Sequence, residues 1–172
     1  MDLPGPCHAE CMNHTARDAK RASRAIEHLP ARSMVVSVDA ATAHEFARRA
    51  MERHHYKRAG TVTAGVASYQ WGTLFLEFLS NLAGAGLILR LMGRHDSYAR
   101  FAVWTEAEGE NIRLTASMVT GLFHSDDFRV ATLELIEQFD EAGMLVSSSD
   151  AFSGIDLPKN SPGRPAAHRW HR

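Results

Sequence analysis

The sequence predicts an α+β fold: an antiparallel or mixed sheet of about four strands with two helices on one face, plus an apolar helical segment, residues 74–92, inserted between strands two and three. Three observations carry this expectation. Four stretches have the β-branched or alternating apolar residues of strands, two more repeat apolar residues at helical spacing behind a capping signal, and turn residues separate them.

Alternation begins abruptly at Met34, where Met34, Val36 and Val38 share one side and Val35, Ser37 and Asp39 the other, as in a half-buried strand. Thr42-Ala43-His44-Glu45 then matches a capping box, in which the Thr hydroxyl accepts from the third helical amide and the Glu reaches back to the cap amide. A first helix is expected to follow. Phe46, Ala47, Ala50, Met51 and His54 form its apolar face, Arg53, Lys57 and Arg58 gather at the carboxyl end where the helix dipole favours cations, and Gly60 stops it. Residues 61–71 place Val62, Ala64 and Val66 on one side and predict a second strand, broken by Gly72. Residues 98–105 and 111–119 predict a hairpin around Glu108-Gly109, a turn that sets Val103 opposite Leu114 and Phe101 opposite Ala116. Ser125 with Asp126 and Asp127 opens a second helix, with the stripe Phe128, Ala131, Leu135, Phe139 and Ala142 and an end at Gly143.

A chain of 172 residues suits one domain, expected at 34–146. Residues 1–33 carry Pro4, Pro6 and Pro30 and one short Arg-rich helical stretch, with Ile26 and Leu29 as large apolar residues. They are expected to be a poorly ordered or weakly helical extension, dispensable for folding, with Met34 a candidate initiator. Residues 147–172 are rich in Ser, Pro, Gly and Arg without periodicity, and read as a flexible tail.

Hydrophobic residues make up 45% and charged residues 23%, which excludes wholesale disorder, collagen-like repeats and a polytopic membrane protein. The formal charge of -1 creates no global demand for nucleic acid, which is not an expected partner. Charge is uneven along the chain: residues 17–58 are net basic and 96–156 net acidic, so the two halves should attract each other. Two cysteines cannot frame a disulfide scaffold and no leader pattern opens the chain, so the expected compartment is the cytoplasm, with peripheral membrane association open through the apolar segment.

That segment has 13 apolar residues in 19, long enough for a ~30 Å hydrocarbon core. Its seven Leu with Phe75, Phe78 and Ile88 contribute roughly -5 kcal/mol on insertion scales, and Glu77, Ser80, Asn81, Gly84, Gly86 and Arg90 cancel about that amount. As a helix it is amphipathic, with Glu77, Ser80, Asn81 and Gly84 on one face and Leu74, Phe75, Phe78, Leu82 and Leu89 around the other. Three readings follow: a core helix or cover for the open face of the sheet, a dock or re-entrant insertion at a membrane surface, or a true span. Leu74, Phe75, Glu77, Phe78, Asn81, Leu82 and Leu89 are the candidate binding residues.

Cys7, His8, Cys11 and His14 put four metal-compatible donors in eight residues. Adjacent Cys7 and His8 chelate one ion poorly and a second ligand segment is needed, which His54 and His55 could provide without any sign of nearness, so no metal and no cofactor is assigned; Cys7, Cys11 and His14 are the weak metal candidates. His44, His54 and His55 lie on or beside the first helix, where a core role for His54 competes with that of a general base. The leading expectation is a non-catalytic domain that binds an apolar small molecule, a protein partner or a membrane surface through residues 74–92. The alternative is a small enzyme with Glu77 or a first-helix His as general base in an apolar pocket.

Overall fold

In the computed structural model, which describes residues 29–60, 65–72, 98–121 and 124–165, two helices pack on one face of an antiparallel sheet. The fold is α+β. Among the described residues the sheet has seven strands: β1 (Pro30–Val36), β2 (Lys57–Arg58), β3 (Val66–Trp71), β4 (Ala99–Glu108), β5 (Asn111–Thr120), β6 (Leu145–Ser148) and β7 (Phe152–Ser153). Their order is β2-β3-β4-β5-β1-β6, with β7 also on β1. The helices are α1 (Ala40–Arg53) and α2 (Ser125–Glu141). The count of about four strands is thus corrected to seven, because β2, β6 and β7 are two to four residues long and too short to show a period. Pairing with β3 and β1 makes them strands. The 74–92 segment lies outside the described residues, as do 1–28.

Several boundaries move for identifiable reasons. β1 begins at Pro30, four residues before Met34, and Ala31 is fully buried opposite Ser117 of β5. The first helix is capped by Asp39 instead of Thr42: the Asp39 carboxylate accepts from the Thr42 amide at 2.9 Å and the Thr42 hydroxyl at 2.7 Å. Glu45 is free of any capping role and instead binds Arg48 and Arg49 one turn on, which holds its carboxyl down at about 2. The helix also ends earlier, at Arg53, where His55 takes a left-handed φ of 65° and turns the chain into β2. In the hairpin the turn is Gly109-Glu110, with Gly109 at φ 65°, so Val103 pairs with Ala116 and Phe101 with Met118. Each partner moves by two residues, which leaves the same side chains on the same face.

Helices and sheet enclose a core built around Phe101, which meets Tyr56 edge-on at 4.6 Å, stacks on Tyr69 at 5.3 Å and meets Phe128 at 5.3 Å. Phe46 of α1 stacks on Phe139 of α2 at 4.8 Å. Beside them Arg53 and His54 of the basic half bind Glu134 of the acidic half. Ala142, expected in the α2 stripe, is the exposed C-cap.

The other face of the sheet is covered by the chain that follows α2. Residues 147–165, expected as part of a tail, contribute the second half of β6, β7, a 3-10 turn (Gly154–Asp156) and a strap running on to Pro165. Phe152 and Leu157 pack with Ala31, Ala102 and Trp104. Two glycines allow the approach: a Cβ on Gly154 would lie 2.8 Å from Ser117 Oγ, and one on Gly163 would lie 2.3 Å from the Trp104 ring. Single apolar anchors and glycines hold the strap, so no periodic pattern announces it.

Candidate functional site

The connection that carries residues 74–92 runs from the end of β3 to the start of β4. Trp71 and Ala99 are partners in that ladder, so the points of departure and return are neighbours. Gly72, at φ 74°, turns the chain away after Trp71. On the far side of β4, Gly121 at φ 118° approaches so closely that a Cβ would stand 2.5 Å from that of Ala99. This close approach lets the chain fold back from β5 into α2 over the same end of the sheet.

His124 sits there, only 6% exposed, at the cap position of α2. Its ring lies 4.3 Å from that of Trp71, its Nδ1 is 3.3 Å from Asp127 Oδ2, and its carbonyl accepts from the Tyr56 hydroxyl at 3.5 Å. Burial, and then the Asp127 charge, push the Tyr56 phenol well above its ordinary pKa, so it stays neutral. Where the connection departs, the partly buried Trp71 therefore packs on the buried His124, with the exposed Asp127 carboxylate beside that imidazole. His124 was missed in the sequence; the available signal was its place directly before Ser125-Asp126-Asp127, which made it the helix cap.

The other histidines do not converge. His44 Nε2–H donates to the Gly65 carbonyl at 2.9 Å, which leaves Nδ1 as the lone-pair nitrogen, buried and without a partner among the described residues. Burial lowers its pKa, so His44 is a neutral latch between α1 and the start of β3. His54 Nε2 lies 2.7 Å from Glu134 Oε2, and Gln138 donates to the other oxygen of that carboxylate at 3.0 Å. The His54 hydrogen bond is the largest cause holding the Glu134 carboxyl below its ordinary pKa. His55 is exposed. Each first-helix histidine thus has a structural partner or faces solvent.

Leu74, Phe75, Glu77, Phe78, Asn81, Leu82 and Leu89 lie outside the described residues, as do Cys7, Cys11 and His14. Among the described residues no group of three or more His, Cys, Asp or Glu is placed to hold a metal ion, and no helix is long and apolar enough to cross a membrane.

Neither a protein-family model nor a curated protein sequence matches the chain. The functional reading therefore rests on the chemistry of the chain itself.

Proposed function

We propose that the chain is a non-catalytic binding domain that takes an apolar ligand, a protein partner or a membrane surface through residues 74–92. The observation that carries this reading is topological. Paired antiparallel strands are ordinarily joined by two to five residues, whereas β3 and β4 are joined by a connection in which residues 73–97 alone number 25, dense in Leu and Phe. Sheet register does not require an insertion of that length between ladder partners. The sheet, moreover, draws cover for its back face from Phe152, Leu157 and Gly163, which weakens the case for the insertion as a core element.

In this reading Leu74, Phe75, Phe78, Leu82 and Leu89 supply the apolar contact, with Glu77 and Asn81 as the polar groups that orient it. The protein is cytoplasmic and associates with membranes at most peripherally. Leu82→Asp tests the reading, because a charge in an apolar dock abolishes docking while a charge in a core abolishes folding. The expected result is a melting temperature close to that of the parent chain together with lost binding of an apolar fluorescent probe and of phosphatidylcholine vesicles. A molten or insoluble Leu82→Asp protein overturns it.

A further inference from the structure

On the face away from the helices, a half-open cleft of about 230 Å³ lies between the sheet and the strap. At ~30 Å³ per water it has room for about eight waters, or for one small ring with a short side chain. Its lining comes from β1, β4, β5, β7 and the strap, and owes nothing to the reading given for residues 74–92.

Its walls divide by chemistry. Trp104, Phe152 and Leu157 give an aromatic and aliphatic side. The charged side holds Arg113, Glu106 and Asp156. Arg113 is already matched: its Nε and Nη2 donate to the two Glu108 carboxylate oxygens, both at 2.7 Å. Glu106 stands directly across the ladder from that matched arginine, and Asp156 has no ion pair among the described residues. Of the strap's own cations, Arg164 donates to the carbonyl of Leu157, which leaves its charge in place beside the lining, and Lys159 lies outside the lining. The lining thus holds two carboxylates to one guanidinium, which Glu108 already shares, so the balance beside the aromatic wall is negative.

We propose that this cleft binds a small organic cation, with its ammonium group on Glu106 and Asp156 and its apolar body against Trp104, Phe152 and Leu157. The two halves are complementary, since carboxylates fix the charge and aromatic rings accept a cation or its methylene neighbours at their faces. Trp104 adds a reporter, because its indole Nε1–H is buried without an acceptor among the described residues and its environment changes when the cleft fills.

Benzylammonium is the probe, with benzyl alcohol as the neutral compound of the same shape, titrated into the full chain. Binding is read from the Trp104 indole N–H resonance, assigned with Trp104→Phe. The expected result is a saturable shift with benzylammonium, binding of benzyl alcohol weaker by about tenfold or more, and a similar loss in Glu106→Gln/Asp156→Asn. Both substituted residues are exposed, so the double variant keeps its melting temperature. Equal binding of the alcohol, undiminished binding to the double variant, or no shift with benzylammonium each overturns the proposal.

Discussion

Trp71 and Ala99 stand opposite each other in the β3–β4 ladder, although 27 residues separate them in sequence. Closing a longer loop costs little, since each doubling of length adds only about 0.6 kcal/mol. An insertion at that point is therefore compatible with the sheet, and its apolar content needs another explanation than connectivity. Binding is the explanation proposed above; Trp71, the last strand residue before the insertion, packs on the His124 ring, whose backbone carbonyl accepts from the Tyr56 hydroxyl.

The strap is held against the back face by contact, and its glycines are the sensitive points. Gly163→Ala brings a methyl group to 2.3 Å from the Trp104 ring, which must then move or push the strap away. Overpacking of this kind costs about 1–3 kcal/mol. Chemical denaturation is expected to register that loss, with a change in Trp104 fluorescence. A stability equal to that of the parent chain refutes the packing described for residues 147–165.

The start of β1 gives a second test. A chain beginning at Met34 lacks Ala31, the Pro30–Ser153 pairing and the Leu29 carbonyl that accepts from the Gly154 amide at 2.8 Å. It loses several ladder hydrogen bonds at about 1 kcal/mol each, besides the burial of Ala31. Compared with a chain beginning at Leu29, it should melt many degrees lower and expose Trp104. Equal melting temperatures for the two chains contradict the assignment of β1.

The same two regions mark where the sequence was readable. Met34 and Val36, the Phe101 and Val103 alternation, and the Phe128, Ala131, Leu135 and Phe139 stripe were legible because each buries one face of a regular element against one core. Asp39 displaced Thr42 as the cap because both are good cap residues and only the path out of β1 chooses between them. The strap was illegible for another reason: Phe152, Leu157 and Gly163 act one by one, and no period relates them. At the candidate site the apolar run was plain in the sequence, whereas the neighbourhood of Trp71, Ala99 and His124 depends on strand pairing that no local pattern encodes.

Stability should fall in two stages on acidification. Burial holds the His44 imidazole below its ordinary pKa, so between that value and the lower folded one the unfolded chain binds the proton and the folded chain does not. Stability therefore declines as pH drops below ~6.5. Glu134 acts later: its folded pKa is depressed, so its contribution is complete above ~4.5 and is lost as pH falls through the folded value. Urea midpoints measured from pH 7.5 to 3 are expected to show both declines in the parent chain and only the second in His44→Gln. An unchanged slope between pH 7 and 5 in that variant contradicts the buried, neutral state of His44.

The most direct measurement replaces residues 73–97 with Asn-Gly, leaving Gly72 and Tyr98 to complete a short turn between Trp71 and Ala99. Thermal unfolding and binding to an apolar probe and to phosphatidylcholine vesicles are then compared with the full chain. The account predicts a folded protein with a melting temperature within a few degrees of the parent and no remaining binding. An unfolded product, or one that still binds as the full chain does, contradicts it.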